Sequence, residues 1–495
     1  MHKLARNTDL QIYDEDTFHA KSFKIDAGTV YDNLIPSLAS ASDAHSRVRA
    51  NSARHRAREN YRSYGLSDPR EVGLPQIITE VMFDPDYNRR AREGCTRESV
   101  CSRVKDRIRT HSPIEMVIPA LPFKLPSPLK TRGPLPDFGE VNFILALYEI
   151  AATIELIYKA GEPEVMGRLA GFTVVSDGSR FNDLVGEADS TIKCYRDHLV
   201  LWIEKLGLKE YITILDYREL IRDHLPATAH KAKSVIADRA HAEYTEALMP
   251  IFDPYNMGRT METAARVEPD PEYSNPEGRF VSLLKSLVHT IKYKTLGRFE
   301  WLPAGDYIGL YRELTGHIFE PYAILSPGEL PATRDGTDAG ATLALTTQDK
   351  ECLRQAMLRE AWNATIEYIV EIKSARDLMV DPLTMCLPDH FRWTIHAKPG
   401  QLALLTPTAL GFSVQAWAGT AVFKLTKENR IKLCTLPIIA LEGSGAIPVL
   451  ASGRDDLLTR AGQPLFYIYP DVAFTDFSEF LSRVTTSLVR KRASR

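Results

Sequence analysis

The chain lacks any window approaching the roughly 18 uninterrupted apolar residues of a membrane span. Its opening stretch, MHKLARNTDLQIYDEDTFHAK, lacks the apolar core of a signal peptide. The expectation is a soluble, cytoplasmic protein without a membrane partner. Cysteine is scarce, with six in 495 residues (Cys95, Cys101, Cys194, Cys352, Cys386, Cys434), and no C-x-x-C pair occurs. Scattered thiols without a Cys/His cluster exclude a disulfide scaffold and a structural zinc site, and they fit a reducing compartment. A P-loop and a G-x-G-x-x-G turn are also missing, so no nucleotide cofactor is indicated and no metal is expected.

An excess of one charge is missing too. Lys and Arg number 61 against 64 Asp and Glu, a net charge of -3. Local basic runs exist: Arg47 to Arg62 carries six arginines and a histidine, and Arg89 to Arg109 is also basic. Acidic residues are interspersed in them, so a solvated helical face is preferred to a nucleic-acid patch. With 44% hydrophobic and 25% charged residues, the chain has the composition of an ordinary globular protein of one large domain or two modest ones.

Residues 1–110 are polar, rich in Ser, Ala and Arg, and weakly periodic, which predicts a partly helical extension rather than a core-building domain. From Ile114 the pattern changes. FTVVSDG (172–178) reads as a buried strand ending in a turn, 188–206 carries helical apolar spacing, and YITILDY (211–217) reads as a second strand. That is a β-α-β unit, predicting adjacent parallel strands. Asp137 and Glu140 form a capping-box start for a helix closing at Gly161. Helical patterns follow at 229–249, 279–296 and 350–378, with polar loops at 253–278 and 324–347 long enough to be lids or insertions. Short strands at 391–397, 401–406, 420–426 and 465–470, then a helix at 475–489, predict a C-terminal antiparallel sheet. The fold class expected is α/β: a Rossmann-like, mostly parallel sheet flanked by helices, with C-terminal antiparallel strands.

Three segments carry candidate chemistry. Ser176-Asp177-Gly178 ends one predicted strand and Asp216 ends the next, on the edge where open α/β sheets bind ligands. Strand-end Asp and Gly are also ordinary turn formers. PALPFKLPSPLKTRGPLPDFGE (119–140) holds Lys124, Lys130 and Arg132 among six prolines before a capped helix. It reads either as a rigid connector or as an anion site. The alternating strand 391–396 puts Arg392, Thr394 and His396 on one face, with Lys398 close behind, which reads as a structural strand or as an anion pocket.

Together these segments resemble the pyoverdine/dityrosine biosynthesis family, which includes bacterial and fungal isocyanide synthases. The family pattern "LPAFPFKSPN…LPDLGE" is similar to PALPFKLPSP…LPDFGE here, and "SDGxxFSDLxGxxDxxVxxY" is similar to SDGSRFNDLVGEADSTIKCY (176–195). A "YRG" stretch is echoed by Tyr311-Arg312-Glu313, and "FPDxIRLSIHP" by LPDHFRWTIHA (387–397). The matches run in order over roughly 114 to 426 and leave residues 1–110 and both long loops outside. The chain departs from the pattern at Ala418, where the family often has a Trp-His-Gly histidine, at Glu313 and at Ala397.

The resemblance implies that residues 111–495 form an isocyanide synthase-like catalytic domain of secondary metabolism. Such an enzyme joins an amino-acid amine to the C2 ketone of ribulose 5-phosphate, whose ketone carbon stays on nitrogen as the isonitrile carbon or ends as an N-formyl group. It implies no cofactor, and a downstream oxygenase acting on the product as a partner. Asp177 would be the base or hydroxyl anchor, His396 the acid, and Lys124 a phosphate ligand or a Schiff-base amine. Ser176, Lys130, Arg180, Asp216, Arg312, Arg392 and Lys398 would bind substrate. The departures keep open a member with altered substrates, or one serving as a binding or scaffold protein.

Overall fold

A computed structural model describes residues 15–87, 95–124, 131–182, 187–253, 347–377, 381–395, 400–404, 415–425, 431–453 and 463–490 apart from 473 and 475, with isolated positions between 256 and 284. The chain divides into two compact units. The larger comprises His19–Ser179, Ser190–Leu220 and Leu387–Arg495, and the other comprises Met1–Phe18, Arg180–Asp189 and Ile221–Cys386.

The ten strands among the described residues are β1 (Phe23–Asp26), β2 (Ile114–Pro119), β3 (Ala170–Ser176), β4 (Ile212–Asp216), β5 (Phe391–Thr394), β6 (Leu402–Ala403), β7 (Thr420–Leu425), β8 (Ile431–Leu436), β9 (Ile447–Ser452) and β10 (Phe466–Ile468). They form two five-stranded sheets, both in the larger unit, ordered β4-β3-β2-β5-β6 and β1-β9-β10-β7-β8. The first is parallel throughout, with Phe172 opposite Ile212 and Ser176 opposite Asp216. The β-α-β reading of 172–216 therefore holds, and β3 is buried along its whole length, as a strand covered on both faces must be. The second sheet is mixed: β7 pairs antiparallel with β8 and β9 with β10, while β1 runs parallel to β9 and β10 to β7.

Two expectations change here. The segments at 391–397 and 401–406 supply β5 and β6 to the parallel sheet rather than to an antiparallel one. Residues 1–110 also do more than extend the chain. Helix α1 (Ile35–Glu59) packs on the helix at 138–161, β1 enters the second sheet, and Val30, Leu34, Ile35, Ala53, Val81 and Met82 are core residues. The buried face of α1 is built from Ser42, Ser46, Ala50, Ala53 and Ala57, small side chains that permit close helix packing but leave only a dilute apolar signal.

The expected solvated basic face is likewise partly internal. After α2 (Leu74–Met82), Asp84 receives Arg49 at 2.5 Å and Arg56 at 3.1 Å, and Arg49 lies 4.0 Å over the Tyr87 ring. On α2 itself Glu80 is fully buried and takes Arg97, from α3 (Arg97–Arg109), at 2.6 Å and the Tyr64 hydroxyl at 2.7 Å. Only the other side of α1, with Arg47 and Arg58, faces water.

Helix α4 (Phe138–Gly161) is the centre of the core. It starts at the Asp137/Glu140 capping box, as the sequence predicts, and is buried nearly all round. Phe138 packs edge-on against Trp202, from α5 (Asp189–Lys205), and against Phe466 of β10, which fixes α4 between the sheets. Each such aromatic contributes about 2 kcal/mol of apolar burial. Among the described residues α4 alone is long and apolar enough to cross a membrane, and its burial within the protein is that of a core helix. Helix α6 (Tyr217–His224) leaves the end of β4. In the smaller unit α7 (Ala227–Leu248) packs on α8 (Thr347–Asp377), with Phe252, Phe280 and Trp362 clustered beside them. Helix α9 (Ile438–Gly443) follows β8, and α10 (Phe477–Arg490) closes the described chain where a final helix is predicted.

Candidate active site

The parallel sheet delivers the ends of β2, β3 and β4 to one carboxyl edge, because their registers place Pro119 beside Val175 and Ser176 beside Asp216. The chain leaving β2 then folds onto the end of β3. Ala120 N–H donates to the Val175 carbonyl at 3.1 Å, and the buried Ser176 hydroxyl donates to the Leu121 carbonyl at 2.8 Å. Leu121 adopts a positive φ of 57°, a strained backbone for a branched side chain that its surroundings must hold. Next comes Pro122, whose carbonyl oxygen lies so near Gly178 that a Cβ there would sit 2.2 Å from it. Only glycine allows that approach, so the Ser-Asp-Gly turn and the Leu121-Pro122 segment are seated against each other.

The other side of the turn is latched to β4. Ser179 Oγ donates to Asp216 Oδ1 at 2.8 Å, the Glu219 N–H donates to the same oxygen at 3.1 Å, and Arg196 of α5 pairs with Oδ2 at 2.9 Å. Asp216 thus anchors the turn and the start of α6. Between these fixed neighbours stands the half-buried Asp177.

Lys124 reaches a different environment from an open phosphate cradle. Its side chain is fully buried, with Nζ 2.7 Å from Asp137 Oδ2 and 2.8 Å from Glu140 Oε2. These acids are the α4 capping box. Asp137 Oδ1 accepts the Gly139 N–H at 2.6 Å, Glu140 Oε2 accepts the Asp137 N–H at 2.9 Å, and the Tyr195 hydroxyl donates to Glu140 Oε1 at 2.9 Å. Burial pulls the Lys124 ammonium down, but the two carboxylates more than offset it and hold its pKa above the ordinary value. Burial pushes the Glu140 carboxyl up to about 8 against the opposing pull of Lys124, and the Tyr195 phenol is raised by burial and then by Glu140. An ammonium so paired and desolvated is a poor Schiff-base nucleophile, which needs the free amine. Lys124 therefore ties the segment against Gly178 to the N-terminus of α4.

The remaining candidates divide. Arg392 is 9% exposed on β5, its Nη1 donating to the Trp393 carbonyl at 2.5 Å. All of β5 is buried, so alternation selects no open face there. Arg180 belongs to the smaller unit, where its Nε donates to Glu371 Oε1 at 2.8 Å. Lys130, Arg312, His396 and Lys398 lie outside the described residues. The structure thus gathers Lys124, Ser176, Asp177 and Asp216 at one edge. Sequence reasoning missed Ser179, Tyr195 and Arg196, although all three stand in the motif at 176–195 or one residue past it. It also missed Lys233, which pairs with Glu371 and had no local signal.

Chemically the edge offers one half-buried carboxylate on a turn fixed from both sides. Behind it lies a buried Lys, Asp, Glu and Tyr group able to hold a proton within its own network. Ala418, in a short turn at 416–418 beside Trp417, brings no titratable group to its position.

Comparison with known proteins adds the following. The sequence model described as "Pyoverdine/dityrosine biosynthesis protein" matches residues 104–274. An L-tryptophan isonitrile synthase, AmbI1, of Fischerella ambigua is 34% identical over 111 residues, 21% of this chain and 32% of that protein. An L-tyrosine isonitrile synthase of Pseudomonas aeruginosa is 38% identical over 105 residues, 21% of this chain and 30% of that protein. Isocyanide synthase xanB of Aspergillus fumigatus is 32% identical over 142 residues, 28% of this chain and 17% of that protein. The matched stretch thus spans about a third or less of each relative. The crystal structure of PvcA from Pseudomonas aeruginosa covers 80% of this chain and 100% of its own, at a TM-score of 0.42 and 22% identity.

Proposed function

We propose that this chain, whose residues 104–274 match the sequence model of the pyoverdine/dityrosine biosynthesis family, is an isonitrile synthase acting on the α-amine of an amino acid. Support comes from the relatives of Fischerella ambigua, Pseudomonas aeruginosa and Aspergillus fumigatus, which are named as isonitrile or isocyanide synthases. The observation that carries the reading is the seat of the Ser176-Asp177-Gly178 turn. A motif shared with the family occupies a rigid carboxyl-edge corner, where the approach of Pro122 admits only glycine at 178.

In this reading ribulose 5-phosphate donates the carbon. The amine adds to the C2 ketone and the carbonyl oxygen leaves as water; the C1–C2 and C2–C3 bonds then break, C1 leaving as formaldehyde and C3–C5 as a three-carbon hydroxyketone phosphate with loss of a second water, so that C2 alone stays on nitrogen. A group must therefore take the amine proton and another must protonate the departing oxygen. Asp177 takes the first role and His396 the second. Arg180, Lys130, Arg312, Arg392 and Lys398 are the cations available to the phosphate and carboxylate. Ser176, Asp216 and Lys124 act at a distance from the reacting atoms, by holding the turn. The reaction asks for no redox cofactor or metal, it takes place in the cytoplasm, and an oxygenase would act on the product.

Ala418 favours a second reading. If the family's histidine at that position moves a proton, this chain runs a modified reaction, or binds the same ligands without turnover. Purified protein incubated with ribulose 5-phosphate and each of the twenty amino acids, read by mass spectrometry, separates the two. An isonitrile or N-formyl amino acid is expected. Binding of the sugar phosphate without any such product would establish the second reading.

A further inference from the structure

The helix that follows the Ser176-Asp177-Gly178 turn meets it with one face. Ile192, Tyr195 and Arg196 stand at positions i, i+3 and i+4 of α5, so their side chains leave the helix on the same side. The Ile192 side chain is buried directly against Gly178, 3.0 Å from where a Cβ would stand there. The fully buried Tyr195 donates its hydroxyl to Glu140 Oε1 at 2.9 Å, and Glu140 Oε2 holds Lys124 Nζ at 2.8 Å. Lys124 in turn fixes the segment whose Pro122 carbonyl abuts Gly178. On the other flank Arg196 Nη1 pairs with Asp216 Oδ2 at 2.9 Å and lies 3.6 Å from Glu219 Oε2, while Asp216 Oδ1 receives the Ser179 hydroxyl at 2.8 Å.

Functional side chains on a connection keep their place only when a rigid element holds them. For Asp177 that element is a single stretch of α5. Its three restraints differ in kind: packing at Ile192, a buried ionic group reached by the Tyr195 hydroxyl, and at Arg196 an ion pair whose two side chains are only 18% and 8% exposed. A shift of about 1 Å at a reacting group costs on the order of 10²-fold in rate, so side chains that act through Gly178, Lys124 and Asp216 can govern turnover.

We propose that Ile192, Tyr195 and Arg196 are positioning residues: one face of α5 sets where the Asp177 carboxylate stands, from both flanks of its turn at once. The proposal rests on the reading above of Asp177 as the base. It adds three residues on which turnover depends, each acting through a neighbour of Asp177 rather than on the substrate.

Amide hydrogen exchange of the full chain, combined with turnover, tests this in Tyr195→Phe, Arg196→Met and Arg196→Lys. Each of the first two removes one restraint, and the amides of 176–179 should exchange about tenfold faster while strand β7 (Thr420–Leu425) keeps its wild-type rates. Arg196→Lys keeps a cation beside Asp216 and should recover much of the loss. For the amino acid that gives product, kcat should fall about tenfold or more in the first two variants with KM little changed. Unchanged exchange at 176–179 in both variants overturns the proposal, as does equal acceleration in β7, which marks general loosening. A looser turn with unaltered kcat also overturns it and leaves the isonitrile reading intact. If the turn loosens as described but the wild-type chain yields no isonitrile or N-formyl product from any amino acid, α5 still holds the turn and the catalytic reading of Asp177 falls.

Discussion

At the scale of single residues, chemistry depends on what each charge is paired with, and the sequence shows charges without their pairs. The capping box at Asp137 and Glu140 was legible because it is local, three residues within one turn. That Lys124 would lie between those acids was not legible, since a cation in a proline-rich segment reads equally well as a ligand for phosphate. The pairing predicts that Lys124→Met, which leaves the buried Asp137 and Glu140 without their cation, costs about 3–5 kcal/mol of stability. Denaturant unfolding measures this, and a loss below about 1 kcal/mol would show that Lys124 is not held as described. Asp177 has the opposite character, being seated beside fixed neighbours but half open. Asp177→Asn should leave unfolding nearly unchanged and lower turnover on the order of 10²-fold or more, as removal of a general base does. Near-normal turnover would reduce Asp177 to a turn residue.

At the scale of elements, the sequence was readable where apolar patterns are long and local. The runs at 172–176 and 211–215 flank one well-formed helix, and they became the adjacent parallel strands β3 and β4. Strand partners brought from far along the chain were not readable. Thus the four-residue β5 joins β2, far earlier in the chain, and carries the two-residue β6 into the parallel sheet beside it, while β1 finds β9 more than four hundred positions away. No periodicity reports a partner of that kind. The seat of the β3 turn makes a sharp element-level prediction. In Gly178→Ala the new methyl would meet the Pro122 carbonyl and the side chain of Ile192, so one backbone must move. Overpacking of this type costs about 1–3 kcal/mol. Thermal unfolding should register it alongside weaker substrate binding, and a variant of native stability would contradict the close approach.

At the scale of the whole molecule, buried acids set how stability follows pH. Burial raises the Glu149 carboxyl, but His45 at 2.6 Å, with Arg49 and Tyr87, more than offsets this and lowers it to about 2. A depressed carboxyl stabilises above its unfolded value near 4.5, and that contribution is lost as pH falls toward 2. Glu140, raised to about 8, has the opposite sign: its contribution is complete below about 4.5 and is lost as pH rises through 8. Unfolding free energy measured from pH 3 to 9 should therefore decline on both sides. Glu149→Gln should flatten the acid limb and Glu140→Gln the alkaline one, and an unchanged alkaline limb in Glu140→Gln would place the proton elsewhere. The function proposed for the molecule is the conversion of an amine to an isonitrile, and isotopic labelling tests that proposal most directly. The protein is supplied with ribulose 5-phosphate carrying carbon-13 at C2, together with L-tyrosine, L-tryptophan and then the other amino acids. The account predicts an amino-acid product gaining one labelled carbon, bonded to the former amine nitrogen as an isonitrile or N-formyl group. An unlabelled product, or none with any amino acid, would contradict it.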